Sequence, residues 1–437
     1  MTHKNKIIEG FSKLSREDKI RVSAAYAARP VEFARLMFSH WQTKGQEQVD
    51  GFTENAVTNY FLPYSLAPNF LINGTGYVIP MVTEESSVVA AASAAAKFWW
   101  FHGGFSASVS KMIKPGHIHF LWHGDYEVLK NFISDIRSGL LESAAPIEKS
   151  MKARGGGILD IELVKPDEKI PGYFQLQVRF DTKDAMGANF INSCLEAMSA
   201  YMISKAEQKG LSPAPEIIMA ILSNYTPDCL VKCSVRCGID DLEQVKYRMT
   251  GSDFVRRFEL AVKIASHNVS RAVTHNKGIF NGIDAVILAT GNDFRAVESA
   301  GHAWAARNGK YSSLSEVIVE NGIFDLSLEL PMSVGVTGGL TSLHPLAGAS
   351  LQLLNNPNAQ ELMEIAASAG LANHFSAIKA LVTGGIQSGH MQLHLTNMLQ
   401  HLQANDEEKQ KAFSHFQDRS VTYSMVHEFL HRLRVEK

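Results

Sequence analysis

The stretch from His117 to Gln208 constrains the fold most. Three short β-type runs, His117-Ile-His-Phe-Leu-Trp122, Ile158 to Val164 and Tyr173 to Phe180, alternate with helical segments at Tyr126 to Leu141 and Ala188 to Gln208. Strand, helix, strand, strand, helix is a compact split βαβ order. In the closing helix Ile191, Leu195, Met198 and Met202 recur at helical spacing. Glu216 to Leu222 and Leu230 to Val235 then return to strand character, and a helical and later mixed region resumes after Val255. A chain of 437 residues has room for two or three domains around such a unit.

Ser86-Ser-Val-Val-Ala-Ala-Ala-Ser-Ala-Ala-Ala-Lys97 combines strong helix formers with few large side chains, which predicts a helix packed close against a neighbour. The segment beginning at Glu54 is too rich in Gly, Pro and Asn for helix: Pro63, Pro68, Asn69, Asn73, Gly74 and Gly76. The first fifty residues read as helical, with Ser15-Arg-Glu-Asp18 resembling a capping box, and the charged tail from Asn405 as one or two helices. Lys plus Arg number 42 against 44 for Asp plus Glu, so nothing draws the chain generally toward nucleic acid or an anionic membrane. The N-terminal residues lack the apolar core of a secretory signal, and Val88 to Phe101 is interrupted by Lys97 and short for a bilayer. The expectation is a cytoplasmic protein without nucleic-acid or membrane partners. Cys229, Cys233 and Cys237 form a C-x3-C-x3-C run that matches neither the usual zinc spacing nor a redox pair. Strand alternation puts their thiols on one face, as core residues.

Four segments could carry chemistry. In Thr274-His-Asn-Lys-Gly278 a lysine stands among Gly, Asn and Ile; Asp284 to Ala289 reads as a buried strand, and Asp293 follows at its end before a helix. If Lys277 and Asp293 meet, they either hold an ammonium beside a developing oxyanion or form a structural salt bridge. Glu84 and Glu85 end the Tyr77 to Val82 strand and point to opposite faces, so one can enter a cleft as a proton donor; a solvated helix start explains them equally. Asp184-Ala-Met-Gly-Ala-Asn189 is a Gly-bearing turn before a helix, suited to a phosphate or simply a cap. There is no G-x-G-x-x-G, which disfavours a Rossmann domain. Gly389-His390 follows a glycine-rich turn, where His390 can serve as a mobile acid, whereas His394 reads as a packing residue.

Together these segments resemble hydroxymethylglutaryl-CoA (HMG-CoA) reductase, in its soluble bacterial class (class II). The resemblance rests on Glu54-Asn55, Leu62-Pro63, Asn69-Phe-Leu-Ile-Asn-Gly74, Glu84-Glu85, Asp184-Ala-Met-Gly-Ala-Asn189, Thr274-His-Asn-Lys-Gly278, Gly291-Asn-Asp293 and Gly389-His-Met391, in family order from about residue 50 to 395. It implies an α+β fold in three parts: a discontinuous large mixed α/β domain (1–110 and 222–384) for substrate and dimer contacts, an inserted small ferredoxin-like cofactor domain (111–221), and a C-terminal helical flap (385–437). It implies two successive NAD(P)H-dependent reductions of HMG-CoA to mevalonate, with release of CoA, in a homodimer or higher oligomer with shared active sites.

Carried onto this chain, the resemblance makes Lys277 the oxyanion stabiliser, Asp293 its partner, Glu85 a proton donor and His390 the acid that protonates the CoA thiolate. Arg271 would grip the substrate carboxylate and Asn281 would be a substrate-site amide; Asp184, Met186, Gly187 and Asn189 would line the cofactor site. No metal is implied. Glu148 falls near the family's cofactor-discriminating position, where an acid favours the ribose hydroxyl of NADH; Lys149 and Lys152 argue the other way, and the reading leans to NADPH. The chain departs from the family pattern with Thr58 for a glycine and Ser86 for a proline, both bearing on the backbone near Glu85. Three rivals stand beside this reading: the same chemistry run backward as a catabolic mevalonate oxidation, a non-catalytic CoA-ester-binding homologue, and a thioester enzyme using Cys194.

Overall fold

The computed structural model of the chain describes residues 8–41, 46–164, 169–385, 395–416 and 421–435. His390, with Gly389, Met391 and His394, lies outside the described residues. Helices α1 (Arg16–Ala24), α2 (Pro30–Ser39) and α3 (Gln46–Asp50) come first, α1 being capped by Ser15 Oγ accepting from Asp18 N–H at 3.1 Å. The antiparallel hairpin β1 (Tyr64–Ile72) and β2 (Thr75–Val82) follows, with Ile72 paired to Thr75. Its two-residue loop is Asn73-Gly74 at φ 49° and 82°, the left-handed pair that a tight hairpin requires. The small-residue helix is α4 (Val88–Trp100).

Strands β3 (Ser106–Val109) and β4 (Ile113–Leu121) lead into the small unit, which continues with α5 (Tyr126–Ala153), β5 (Gly157–Val164), β6 (Tyr173–Asp181), α6 (Ala188–Gln208) and β7 (Glu216–Leu222). The sheet order β5-β6-β4-β7, all antiparallel, is that of a ferredoxin-like βαββαβ unit. It has its own core, in which Ile118, Phe120, Leu129, Leu176, Leu195 and Met198 are fully buried. Helix α5 starts where Asp125 accepts from Glu127 and Val128 N–H, and it continues through Pro146 to Ala153, well beyond the expected end at Leu141.

The larger unit holds the second antiparallel sheet, ordered β3-β8-β10-β9, with β8 (Leu230–Gly238), β9 (Ser315–Glu320) and β10 (Ile323–Pro331). Helices α7 (Gly251–His267), α8 (Val269–Ala289), α9 (Phe294–Ala305), α10 (Leu340–Leu343), α11 (Pro345–Leu353) and α12 (Ala359–Val382) complete it. All three clustered thiols are buried, Cys229 donating to Met332 O at 3.2 Å and Cys233 lying 3.4 Å from Ser368 Oγ. Helix α12 is long and apolar enough to cross a membrane, but an unbroken run from Ile365 to Phe375 is buried in the protein core. Its hydropathy is that of a central helix. Helices α13 (Asp406–His415) and α14 (Tyr423–Val435) pack a third, separate cluster around Leu395, Leu399, Phe416 and Val426.

One expectation is overturned: Asp284 to Ala289 is no strand but the last turns of α8. Periodicity does not separate a buried strand from a helix buried on most sides, and Ile283, Ala285, Val286 and Ile287 are all buried. Of the two glycines that disguise the helix, Gly282 is there for packing. A Cβ on Gly282 would lie 2.4 Å from Ala369 O, and one on Gly370 would lie 2.7 Å from Ile283 Cγ1, so α8 and α12 cross nearly backbone to backbone. Gly282→Ala gains about 1 kcal/mol of helix propensity but overpacks the crossing against rigid backbone, typically ~1–3 kcal/mol. The expected net result is a lower urea midpoint. Gly278→Ala, where an added methyl meets nothing nearer than 3.8 Å, should keep or raise the midpoint.

Candidate active site

Helices α4, α8 and α12 enclose a cleft of about 570 Å³ lined by Glu85, Arg271, His275, Lys277, Asn281 and His374. Arg271, Lys277 and Asn281 come from successive turns of α8, which begins where Asn268 Oδ1 accepts from Arg271 N–H at 2.9 Å. Glu85 comes from the turn between β2 and α4, where its N–H donates to Thr83 Oγ1 at 3.2 Å and Ser87 takes a left-handed φ of 74°. Glu84 is exposed while Glu85 lines the cleft. The Lys277 ammonium donates to Glu85 Oε2 in an ion pair, and Asn281 Nδ2 donates to Glu85 Oε1 at 3.5 Å. An ammonium, a carboxyl and an amide thus converge beside a guanidinium. That set can polarise a carbonyl, exchange a proton with its oxygen and hold a carboxylate.

Asp293 is elsewhere. It is the N-cap of α9, accepting from Arg295 and Ala296 N–H and pairing with Arg295 Nε at 3.2 Å. Twelve residues of α8 separate Lys277 from Ala289, ~18 Å at ~1.5 Å per residue, so the two do not pair within one chain. Asp293 instead lines a second cleft, about 370 Å³, together with Met186, Gly335 and Thr337.

Met186 belongs to the turn that leads into α6. Gly187 caps that helix at φ 94°, no side chain caps its free N–H groups, and a Cβ there would meet Thr182 Cγ2 at 2.5 Å. The result is a shallow, donor-lined cradle at a helix start, which suits a phosphate-bearing cofactor. Asn189 stands in the first turn of α6. Asp184 is an anchor: its Oδ1 accepts from Ala359 N–H of α12 at 2.9 Å and its carbonyl accepts from Val336 N–H at 2.8 Å.

Glu148 departs from the expected ribose reader. It is 1% exposed, accepts from Ile158 N–H at 2.7 Å and pairs with Lys152 at 2.9 Å, so both oxygens are occupied inside the small unit. Cys194 is fully buried, and burial pushes its thiol up to about 12, which removes it as a nucleophile. Thr58 lines a further cleft of about 610 Å³ with Tyr60, Phe61 and His344. Among the described residues no cluster of His, Cys, Asp and Glu is arranged to hold a metal ion.

Sequence reasoning passed over a buried histidine pair in the cleft floor. His275 and His374 stack edge to face with centroids 4.2 Å apart, and both Nε2 atoms reach Ser315 Oγ, at 2.8 and 2.9 Å. Burial holds His275 down to about 3, with help from the Arg271 charge, and lowers His374 well below the ordinary range. Spacing gave no hint of the pair, because its members are on different helices. Asp284 was also missed as a titrating group: burial and the Glu298 carboxylate push it up to about 8 against the pull of Lys277. It follows Lys277 and Asn281 on one helix face at i+7 and i+3, a pattern legible only once α8 is known to be helical.

The chain as a whole matches known proteins. A family model described as hydroxymethylglutaryl-coenzyme A reductase matches residues 18–395. The chain is similar to 3-hydroxy-3-methylglutaryl-coenzyme A reductase of Archaeoglobus fulgidus, 34% identical over 98% of this chain and 94% of that one. It is also 31% identical to a probable enzyme of the same name from Borreliella burgdorferi, over 89% of this chain and 88% of its relative. Among solved structures it resembles the class II reductase of Streptococcus pneumoniae bound to NADPH in open conformations, with TM-score 0.72 and 37% identity over 86% of this chain and 99% of that one.

The histidine pair yields a pH prediction. Both side chains are held neutral in the folded state, whereas unfolded histidine takes a proton below about pH 6.5. With the folded values depressed, their share of stability is complete above pH 6.5 and is lost as pH falls, by up to about 1.4 kcal/mol per pH unit for each histidine. Urea unfolding of the wild type should weaken from pH 6.5 to 5, and His374→Gln should flatten that slope.

Proposed function

This chain belongs to the hydroxymethylglutaryl-CoA reductase family, and from that premise we propose which of its residues carry the reaction. It is an oxidoreductase that reduces HMG-CoA to mevalonate and free CoA with a nicotinamide cofactor. Bound reduced cofactor supplies two hydrides in succession. The observation that carries the residue assignment is the convergence of Lys277, Glu85 and Asn281 in the α8 cleft.

In this reading the Lys277 ammonium sits against the thioester oxygen and stabilises the negative charge that forms there when the carbonyl carbon accepts a hydride. Collapse of that adduct breaks the C–S bond and gives an aldehyde and a thiolate. His390 gives the departing thiolate its proton. The aldehyde oxygen then gains charge in turn at Lys277, and Glu85 protonates it to the alcohol. Two protons and two hydrides thus convert the thioester into a primary alcohol and a thiol. Asn281 orients the Glu85 carboxyl, and Arg271, at the mouth of α8, takes the substrate's carboxylate through two parallel N–H donors. The cradle of Met186, Gly187 and Asn189 holds the cofactor, with Asp184 fixing that turn against α12. The preferred cofactor is NADPH: Glu148 is buried and tied to Ile158 N–H and Lys152, which leaves Lys149 as the exposed charge beside it.

The working unit is a homodimer with shared sites. Lys277 and Asp293 line different clefts of one chain, so a site that uses both is completed by the Asp293 of a second copy, beside that copy's cofactor cradle. On this arrangement 1–110 and 222–384 form the catalytic and dimer-forming domain, 111–221 the cofactor domain and 385–437 the flap that brings in His390.

Given HMG-CoA, the purified protein should oxidise two cofactors per thiol released, faster with NADPH than with NADH. Lys277→Ala should abolish turnover while HMG-CoA still binds by calorimetry; undiminished turnover in that variant would remove the oxyanion role. Sharing of sites is tested by mixing Lys277→Ala with Asp293→Asn, each inactive alone. If half the dimers are mixed and each regains one of two sites, about a quarter of wild-type activity returns. Sites contained within one chain would regain none.

A further inference from the structure

Lys114 stands on β4 with its side chain turned inward, 2% exposed. Its ammonium donates to Thr182 Oγ1 at 2.7 Å, Ala185 O at 2.8 Å and Met186 O at 3.0 Å. All three acceptors are uncharged. The charged and titratable groups facing it from the surrounding elements are Asp181 of β6, Asp184 of the turn and Cys229 ahead of β8. Asp181 is engaged by Lys183 at 2.7 Å, and the Asp184 carboxylate caps α12. The Cys229 thiol, pushed up to about 11, is neutral and donates to Met332 O. Burying an ammonium on neutral acceptors alone is costly, and burial lowers Lys114 to about 8. A fold that only needed to close this turn could do so with an uncharged donor.

We propose that Lys114 is a positioning residue for the cofactor: it pins the carbonyls of Ala185 and Met186 inward so that the turn enters α6 at Gly187 with its N–H groups free, and its charge draws the anionic cofactor onto that cradle. The inference rests on the reading of Asp184–Asn189 as the cofactor site. Two links join Lys114 to the cradle. Thr182, which Lys114 holds, also donates to Ala185 O at 2.7 Å, and it is the residue that packs beneath Gly187. An ammonium behind uncapped helix N–H groups adds to the positive end of the helix dipole, and both favour a phosphate in front.

The test is direct binding of NADPH to the full-length protein without HMG-CoA, followed by cofactor fluorescence from pH 7 to 9.5. Lys114 loses its proton as pH rises through about 8, so the wild-type Kd should weaken across that range by about tenfold. Lys114→Met should bind weakly and independently of pH, with HMG-CoA affinity unchanged. Lys114→Arg, which keeps its charge throughout, should give a flat profile near the tight limit. A wild-type Kd that does not change from pH 7 to 9.5 overturns the proposal, and that result needs no variant to fold. Met186→Ala and Asn189→Ala separate the two readings. If both bind NADPH like the wild type, the cradle is not the cofactor site and both readings fall. If they bind weakly while the wild-type profile stays flat, only the role of Lys114 falls.

Discussion

The crossing of α8 and α12 at Gly282 and Gly370 is the contact on which the rest of the molecule depends. Helix α8 carries Arg271, Lys277 and Asn281, and α12 carries His374 opposite His275. Because the two backbones approach within the space of an absent methyl, the floor of the cleft has little freedom to shift along the helices. From α12 the constraint spreads outward: Asn373 Nδ2 donates to Val88 O and Ser376 Oγ to Ala91 O, each at 2.8 Å, and these bonds hold the start of α4. Glu85 sits three residues before that start, so one helix crossing sets the distance between the acid and the lysine it faces.

Charge in the cleft is managed by desolvation. The histidine pair is buried and neutral, and Asp284 is pushed to about 8, so at neutral pH it keeps its proton for most of the time. That leaves Arg271 and Lys277 as the cations that α8 presents to the cleft, answered by Glu85. A thioester or aldehyde oxygen gains from a nearby cation only while that cation is not already neutralised on several sides. Among the described residues Lys277 pairs with one carboxylate, that of Glu85, whose side chain remains 40% exposed. A charged Asp284, seven residues on along the same helix, would add a second anion to the field at Lys277 and weaken its pull on an incoming oxygen.

Much of this was legible in the sequence, and what was not has a physical explanation. The small unit is local: its strands and helices follow one another with clear periods, and its turn residues mark their ends, so its topology could be read directly. The Glu84–Glu85 pair also divided as strand alternation implies, one exposed and one in the cleft. The failure at Asp284 to Ala289 came from burial, since a helix apolar on most sides loses the 3.6-residue signal that would distinguish it from a strand. Lys277 and Asp293 do not meet within one chain because the rest of α8 lies between them, ~18 Å of helical rise at ~1.5 Å per residue, and Asp293 opens the next helix. Lys114 and the two histidines escaped because their meaning lies in partners 40 or more positions away, Ser315 for His275 and Thr182 for Lys114.

The proposed division of labour follows from the order of the chemistry. Two hydrides must reach one carbon in succession, so spent cofactor must leave while the aldehyde stays held. Groups that hold the substrate therefore belong on the rigid α8–α12 floor, and groups that hold the cofactor on a unit with a separate core. The join between them lies at the cradle, where Asp184 caps α12 and the Gly335 backbone packs against Met186 N closely enough to exclude a side chain. The Asp184 carboxylate, accepting from the first N–H of α12, thus ties the turn before α6 to the helix that carries His374. Lys114 stands at that join from the small-unit side, where its buried ammonium holds the Ala185 and Met186 carbonyls at the turn and makes no contact with the α8–α12 floor among its hydrogen bonds.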